Sequence, residues 1–311
     1  MMKKIYCIGE TVYDIIFNKG EPVAAKAGGS MLNSAVSMGR LGLPVFFISE
    51  YANDDIGKGI DIFLHFSNVN THYVYKYDNG KTSIAIAFLD EKMNASYSFY
   101  KHLPSERLMI NFPEPESDDI VLFGSFYSIN KEVREKIIRF VSIAKDKGAI
   151  VIYDPNFRKA HLNELSELFP FIISNMQNSS IIRGSDEDFE MIFGVNNVED
   201  AYLRVSKYCD ILIYTMSNKG VFFKTKNREI FVKSANIKPL STIGAGDNFN
   251  AGLIYGIYSC MEKLDSLNNL SDKKIKELLQ HGINLATEVC MSYDNYISIE
   301  FANNYKNKTN H

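Results

Sequence analysis

The chain has 311 residues, of which 46% are hydrophobic, and it carries a formal net charge of −3 at pH 7. A chain of this length can bury one large α/β core, so we expect one main domain with a small accessory element. The basic residues are scattered, which argues against a surface for nucleic acid or an anionic membrane. The first residues reach Gly9 and Glu10 too soon for a signal-peptide core, and no apolar run approaches a membrane span. We therefore expect a cytoplasmic protein.

The N-terminal segment places an acidic residue among apolar ones. Residues 5–8 read as a strand, and the extended piece that follows carries Asp14 between Val12 and Ile15. A carboxylate at such a position is costly if it is buried without partners. Asp14 is therefore either turned to solvent or bound to hydroxyl donors, and the segment by itself leaves both alternatives open.

Two glycines open the first predicted helix. Gly28 and Gly29 precede a segment with a narrow apolar face, and Gly42 is expected to end it. Glycines with an amide side chain one turn into the helix make a surface that a polyhydroxylated ligand can approach closely and hydrogen-bond. We therefore predict ligand contacts at Gly28, Gly29 and Asn33.

A β-rich region interrupts the alternation of strands and helices. Three strands are predicted there, over residues 71–77, 82–89 and 95–100. Asn79-Gly80 between the first two strands is a strong hairpin signal. We expect these strands to pair with residues 11–26 as a small sheet that acts as a lid and excludes water. Tyr73, Tyr75 and Tyr77 form an aromatic stripe, and the alternative to a lid is that this stripe packs against the core or against a second subunit. A homodimer through the lid is compatible with either role.

From residue 119 onwards strands and helices alternate regularly. Strands are predicted over residues 119–124, 149–154, 179–183, 210–215, 220–225 and 229–233. Helices are predicted over residues 131–147, 162–176, 186–193, 198–208 and 271–291, followed by a polar and loose tail at 302–311. This pattern favours a mostly parallel sheet with helices on both faces, in which ligands bind beyond the carboxyl ends of the strands. Arg158 follows one such strand end, where it is either a ligand contact or a surface ion-pair residue.

Residues 238–252 carry the strongest chemical signal. Gly244 and Gly246 permit a tight turn, and a helix with apolar residues at three- and four-residue spacing follows at once. The free N–H groups and the dipole at that helix start suit a moving phosphoryl group, so Gly244, Ala245 and Gly246 are predicted to hold it. Phosphate repels a carboxylate at this point unless the carboxylate has a separate task, so we predict that Asp247 takes the proton of a substrate hydroxyl. The alternative is an ordinary junction with an acidic N-cap.

Both glycine-rich segments resemble signatures of one enzyme family. Residues 241–252 are similar to the C-terminal signature of the ribokinase-like, or PfkB, carbohydrate kinases, which runs Asp-Thr-x-Gly-Ala-Gly-Asp-x-Phe-x-Ala-Gly. Residues 28–42 resemble the N-terminal signature, Gly-Gly-x-x-x-Asn-x-Ala-x-x-x-x-x-Leu-Gly. Residues 154–158, Asp-Pro-Asn-Phe-Arg, resemble the Asp-x-Asn-x-Arg motif of fructokinase-like and 2-keto-3-deoxygluconate kinase-like members. The likeness covers nearly the whole chain.

The resemblance implies a fold and an activity. The fold would be a ribokinase-like three-layer α/β/α domain with a mostly parallel central sheet, formed by residues 1–10, 27–70 and 101–311, plus a small β lid of residues 11–26 and 71–100. The activity would be that of an ATP-dependent sugar kinase, with Mg²⁺ arriving together with the nucleotide. The sugar would be held by Asp14, Gly28, Gly29, Asn33 and Arg158. The nucleotide would be held by Ser185, Thr215, Ser217, Gly220 and Asn284.

Two departures from the family pattern bear on mechanism. Family members commonly carry Asn-x-x-Glu, associated with hydrated magnesium, where this chain has Ser185-Asp186-Glu187-Asp188. Asp188 is therefore the candidate Mg²⁺ ligand, and a plain capping box with Ser185 is the alternative. Ser241 stands where the C-terminal signature begins with Asp, and Ile243 replaces a frequently polar position. Those positions belong to a monovalent-cation site in ribokinase-type members, which argues against activation by potassium.

The acceptor favoured by the resemblance is D-fructose, because Asp-Pro-Asn-Phe-Arg is fructokinase-like, and the product would be fructose 6-phosphate. Ribose, 2-keto-3-deoxygluconate and nucleosides stay open. A competing hypothesis is a catalytically silent sugar- or nucleotide-binding regulator, motivated by the altered Asn-x-x-Glu and signature positions. The intact Asp247 argues against it. Neither a P-loop nor a complete dinucleotide fingerprint occurs in the sequence.

Overall fold

A computed structural model of the chain describes residues 3–89, 95–260, 267 and 269–309. The strands are β1 (Ile5–Ile8), β2 (Val12–Asn18), β3 (Glu21–Gly28), β4 (Val45–Ala52), β5 (Val69–Asn70), β6 (Val74–Tyr77), β7 (Lys81–Leu89), β8 (Ala95–His102), β9 (Ile120–Gly124), β10 (Ile150–Asp154), β11 (Ile181–Ser185), β12 (Leu212–Thr215), β13 (Val221–Lys224) and β14 (Glu229–Val232). The helices are α1 (Ser30–Arg40), α2 (Asp55–Phe66), α3 (Arg134–Asp146), α4 (Leu165–Gln177), α5 (Asp186–Phe193), α6 (Val198–Val205), α7 (Ala245–Cys260), α8 (Asp272–Cys290) and α9 (Ile299–Thr309). Short 3-10 helices occupy Phe126–Ile129 and Lys159–Glu164.

The large sheet runs in the order β14-β13-β12-β11-β10-β9-β1-β4-β5, and β6 also pairs with β4. All neighbours from β12 to β5 are parallel, whereas β13 and β14 are added antiparallel at one edge. Strands β1, β9 and β10 are buried along their whole length. Parallel strands covered by helices on both faces have this continuous apolar character. The mostly parallel sheet predicted from the sequence is therefore confirmed.

Helices cover both faces of this sheet. Side chains alternate between the two faces of a strand, so Ile5 and Cys7 of β1 enter one core while Tyr6 and Ile8 enter the other. Helices α1, α7, α8 and α9 pack in the first core, and helices α3 to α6 pack in the second. The result is the predicted three-layer α/β/α arrangement. Among the described residues, no helix is long and apolar enough to cross a membrane.

A separate four-stranded sheet has the order β3-β2-β7-β8. Strand β2 pairs antiparallel with β3 and parallel with β7, and β7 pairs antiparallel with β8. This is the small sheet that the sequence analysis expects from residues 11–26, 82–89 and 95–100. That these four strands move as a lid stays a prediction.

The expected membership of residues 71–77 in the small sheet is wrong. Strand β6 instead extends the large sheet, pairing parallel with β4 from Ser49↔Val74 to Ala52↔Tyr77. The Asn79-Gly80 signal accordingly does not mark a hairpin, because the strands on its two sides belong to different sheets. The turn at residues 78–80 carries the chain from one sheet to the other.

The C-terminal tail expected to be loose forms helix α9 over most of its length. Ala302 and Tyr305 are buried on its inner face. The Tyr305 hydroxyl is 2.7 Å from Nδ1 of His281 on α8 and accepts a hydrogen bond from Asn284 at 3.2 Å. Two buried side chains, one of which carries a hydrogen-bonded hydroxyl, thus dock this helix.

Candidate active site

The turn before α7 has the conformation that its glycines predict. Gly244 has φ 79°, and a Cβ at that position would lie 2.7 Å from the carbonyl oxygen of Asn295. Asn248 ties the same two segments together, since its Nδ2 donates to the carbonyl oxygens of Gly244 and Asn295, both at 2.8 Å. The turn is therefore fixed from the side of the loop at Asn295.

The start of α7 leaves backbone donors free. Ala245 donates to the carbonyl of Thr242 at 3.2 Å, and Asn248 donates to that of Gly244 at 2.9 Å. The N–H groups of Gly246 and Asp247 have no acceptor among the described residues. Two free donors at the positive end of a 16-residue helix are an arrangement that suits an anion, and the binding of a phosphoryl group there stays a prediction.

Asp247 is 5% exposed and receives hydrogen bonds from three side chains. Ser30 Oγ donates to its Oδ1 at 2.6 Å, and Asn33 Nδ2 donates to its Oδ2 at 2.8 Å. Asn156 Nδ2 is 3.4 Å from Oδ1 and 2.9 Å from Ser30 Oγ. The structure thus brings the catalytic Asp247 of the sequence analysis together with Asn33, one of the predicted sugar contacts.

Opposing effects act on the proton affinity of Asp247. Burial raises the pKa of its carboxyl, whereas the hydrogen bonds from Asn33 and Ser30 and the positive charge of Arg158 lower this pKa. The negative charge of Asp154 raises it again. A carboxylate whose pKa lies above its usual range is a stronger proton acceptor, which suits a general base.

Asp14 on β2 lies against the glycines that precede α1. A Cβ on Gly28 would be 2.0 Å from Oδ2 of Asp14, so only glycine leaves room for this carboxylate. Gly29 has φ 127°, and a Cβ there would meet the Glu10 carbonyl at 2.2 Å. Burial raises the pKa of Asp14 to about 7, and Lys26 on the neighbouring strand opposes this. The Asp14 side chain is therefore half-buried against Gly28 and is not fully exposed to solvent. Gly28 itself lies two residues before Ser30.

A buried ion pair lies next to the turn. Arg183 in the middle of β11 donates from Nη1 to Asp154 Oδ2 at 2.8 Å and from Nη2 to Thr215 Oγ1 at 2.9 Å. Asn250 on α7 donates to the same Asp154 oxygen at 2.6 Å. The Arg183 guanidinium also lies 5.4 Å above the ring of Phe249. The middle of β11 and the last residues of β10 and β12 are thereby joined to one another and to α7.

The predicted nucleotide residues divide into two groups. Thr215 reaches the site through Arg183, and Ser217 and Gly220 form the turn between β12 and β13 with φ 46° and 140°. The positive φ of Ser217 lies in the left-handed region, which favours glycine. Asn284 lies elsewhere, on α8, where its side chain bonds to Gln280 and Tyr305. The structure does not join Asn284 to the other predicted residues by any contact.

Asp188 is not available as a metal ligand in this structure. Its Oδ2 accepts hydrogen bonds from the N–H and the hydroxyl of Ser185, at 2.8 and 2.6 Å, and its Oδ1 accepts from the N–H of Phe157 at 2.7 Å. Ser185 and Asp188 thus form the capping box of α5, the alternative left open by the sequence. Within the described ranges, no group of three or more His, Cys, Asp or Glu residues could hold a metal ion. The residues present do not fit the expected magnesium site.

Sequence analysis missed the roles of Ser30, Asn156 and Arg183. Ser30 directly follows Gly29, and Asn156 stands inside the motif that contains Arg158. Both residues could therefore have been predicted as site residues from their neighbours in the chain. Arg183 gave no signal, because its partners come from other strands and from α7. Arg158 itself is exposed, and its charge acts on Asp247 from the surface.

A model described as pfkB family carbohydrate kinase matches residues 2–301. The chain therefore belongs to the pfkB family of carbohydrate kinases.

Known relatives agree with this assignment. A fructokinase of Rhizobium leguminosarum bv. trifolii is 26% identical over 288 residues, which cover 90% of this chain and 85% of that protein. The crystal structure of the Vibrio cholerae O395 fructokinase with fructose, ADP and calcium has a TM-score of 0.84 at 20% identity, covering 96% of both chains. The aminoimidazole riboside kinase of Salmonella enterica, with its riboside and an ATP analogue, has a TM-score of 0.82 at 18% identity, covering 98% of this chain and all of that one. The ribokinase-like fold is thus confirmed.

Proposed function

We propose that this protein is an ATP-dependent sugar kinase that phosphorylates a primary hydroxyl of a small sugar, D-fructose, to give fructose 6-phosphate. The observation that carries the proposal is the position of the Asp247 carboxylate. It stands beside two free N–H groups of α7 and is hydrogen-bonded to Asn33, which follows the Gly28-Gly29 pair. A base and an anion site that share one helix end suit in-line transfer between a hydroxyl and a terminal phosphate.

The mechanism follows from the residues around Asp247. Asp14 and Asn33 hold sugar hydroxyls, and the close backbone of Gly28 and Gly29 lets the sugar approach. Asp247 accepts the proton of the primary hydroxyl of the sugar. As it does so, the hydroxyl oxygen bonds to the γ-phosphorus and the bond from that phosphorus to the leaving ADP oxygen breaks. The N–H groups of Gly246 and Asp247 stabilise the negative charge on the moving phosphoryl group, assisted by the backbone of Gly244 and Ala245.

Nucleotide binding is assigned to the edge of the sheet next to this turn. Thr215, Ser217 and Gly220 stand at the end of β12 and in the turn after it, and relatives crystallised with ADP or ATP support ATP as the donor. Ser185 and Asn284 are kept as weaker members of this set, because their side chains are engaged within the protein. Mg²⁺ is expected with ATP, without a direct bond to Asp188.

The choice of fructose rests on the relatives and on one motif. The curated relatives named fructokinase are about 25% identical, for example 25% over 293 residues for the probable fructokinase-7 of Arabidopsis thaliana. The motif at residues 154–158 is of the same fructokinase-like type, and its Asn156 contacts Ser30 and Asp247. Ribose, 2-keto-3-deoxygluconate and nucleosides are the alternative acceptors.

The small sheet is proposed to close over the sugar and to form a homodimer. Closure would exclude water, which otherwise hydrolyses the nucleotide. The sheet exposes large apolar side chains at Val23, Phe88, Phe99 and Tyr100, and a second copy of the sheet would cover them. Sedimentation at micromolar concentration should then give twice the chain mass of 35.3 kDa. The cytoplasmic location expected from the sequence stays a prediction.

A coupled ADP-release assay with a panel of acceptors tests the proposal. Fructose is expected to give the highest kcat/KM, followed by the alternative sugars and nucleosides. A higher kcat/KM for ribose, 2-keto-3-deoxygluconate or a nucleoside would replace fructose and leave the kinase assignment intact. Sugar binding by calorimetry without ADP release for any acceptor would instead support a silent regulator.

A further inference from the structure

Ser30 donates a hydrogen bond to the Asp247 carboxylate, and the proposed mechanism gives it no task. Its Oγ is 2.6 Å from Oδ1 of Asp247, closer than Nδ2 of Asn33 is to Oδ2 at 2.8 Å. The hydroxyl is in turn the acceptor of a bond from Asn156 Nδ2 at 2.9 Å. A chain of donors therefore runs from Asn156 through Ser30 to one oxygen of the carboxylate.

Asn156 is held in place for this contact. Its φ of 40° lies in the left-handed region, where asparagine is tolerated better than most residues. Its backbone N–H donates to Asp154 Oδ1 at 3.0 Å, which closes a local turn after β10. The turn aims the amide away from the strand end and towards Ser30.

We infer that Ser30 and Asn156 are positioning residues that hold the carboxylate of Asp247 in its ionised, proton-accepting state and direct the substrate proton to Oδ2. Oδ1 already accepts from Ser30 and stands within reach of Asn156, whereas Oδ2 accepts only from Asn33 among the residues that the structure describes. A carboxylate oxygen has two lone pairs, so Oδ2 keeps one for the hydroxyl of the acceptor. The inference rests on the proposed function for the identity of that acceptor.

The charged groups around Asp247 act in both directions. Arg158 lowers the pKa of Asp247 and Asp154 raises it, while Arg183 is paired with Asp154. Burial raises this pKa most strongly. Bonds donated to an ionised carboxylate favour that form, so the hydroxyl of Ser30 opposes the effect of burial. Without Ser30 the base would be protonated at a higher pH.

Ser34 provides a matched control one helical turn further along α1. Its hydroxyl donates at 2.8 Å to the backbone carbonyl of Asp247 instead of to the carboxylate. Ser30→Ala and Ser34→Ala therefore each delete one hydroxyl bonded to the same residue. Ser30→Thr keeps the hydroxyl and serves as the rescue variant. Asn156→Gly removes the amide without straining the left-handed backbone.

The experiment is a ¹³C NMR titration of protein labelled at the aspartate carboxyl carbons, with the Asp247 signal assigned by its loss in Asp247→Asn. We expect the pKa of Asp247 to be higher in Ser30→Ala than in the wild type by about one unit, the scale of one charge-assisted hydrogen bond. A smaller rise is expected in Asn156→Gly, and none in Ser34→Ala or Ser30→Thr. The acid limb of kcat/KM should move by the same amount in each variant.

An unchanged Asp247 titration in Ser30→Ala, or an equal change in Ser34→Ala, would overturn the inference. The titration needs no substrate, so this outcome is independent of the proposed function. Failure of the wild type to release ADP with any acceptor would overturn the kinase mechanism while leaving the titration result to stand.

Discussion

The guanidinium of Arg183 lies against Gly246, with its Nη1 2.9 Å from the position that a Cβ on Gly246 would occupy. Arg183 cannot retreat easily, because Asp154 holds Nη1 at 2.8 Å and Thr215 holds Nη2 at 2.9 Å. The absence of a side chain at position 246 therefore lets the turn before α7 lie directly on the buried Arg183–Asp154 ion pair.

Gly246→Ala is expected to lower kcat at least tenfold, because the added methyl must push the turn away from Arg183. A displacement of the donors by about an ångström is enough for a loss of this size. The measurement is kcat in the ADP-release assay. Gly59→Ala is the control, since a Cβ there meets nothing within 4 Å and should stabilise exposed α2 by about 0.5–1 kcal/mol. Wild-type kcat in Gly246→Ala would contradict the role of this contact.

The Arg183–Asp154 pair is expected to show strong coupling in a double-mutant cycle. Asp154 is fully buried, so Arg183→Gln leaves an uncompensated charge and should lower the free energy of unfolding by about 3–5 kcal/mol. The double variant Asp154→Asn with Arg183→Gln removes both charges and should lose less than the sum of the single variants. Urea denaturation of the four proteins measures this coupling. Additive losses would show that the two side chains act independently.

Asp14 is expected to make the stability of the protein depend on pH. Burial raises the pKa of the Asp14 carboxyl from 3.8 to about 7. The contribution of this group to the free energy of unfolding is therefore fully present below pH 3.8 and is lost as the pH rises through 7. Asp14→Asn avoids that loss, so at pH 8 the variant should be more stable than the wild type by on the order of 2 kcal/mol. The advantage should shrink towards pH 4.

Urea denaturation at pH 5 and at pH 8 tests this expectation for Asp14. Equal stability of the variant and the wild type at pH 8 would mean that the carboxylate is not desolvated. The same substitution should raise KM for the sugar, because a carboxylate that binds hydroxyls becomes an amide.

The sequence predicts those parts of the site that are formed by residues adjacent in the chain. Gly244 and Gly246 permit the turn, the helix starts beside them, and Asp247 follows directly, so all the parts are adjacent in the chain. Alternation of strands and helices likewise predicts the parallel sheet. The contact of Asp14 with Gly28 could also have been predicted, because Asp14 is an acidic residue in an apolar segment and Gly28 belongs to a glycine pair.

Features that depend on tertiary pairing escape such reasoning. Strand β6 has the composition of a strand of either sheet, and only its pairing with β4 places it in the large one. Arg183 lies 63 positions before Gly246, and nothing near it in the chain indicates a contact with α7. The second half of helix α9 is polar, and the partner of Tyr305 on α8 lies in a distant segment that local sequence does not indicate.

The ADP-release rate of Asp247→Asn, measured beside its sugar affinity, tests the central claim most directly. The amide keeps the shape of the side chain but accepts a proton far less readily, and it offers an acceptor oxygen at only one of the two positions that now bond to Ser30 and Asn33. We expect kcat to fall by about 10²- to 10⁴-fold, the usual contribution of a general base, while the Kd for the sugar from calorimetry changes little. Turnover equal to that of the wild type would contradict the assignment of Asp247 as the proton acceptor.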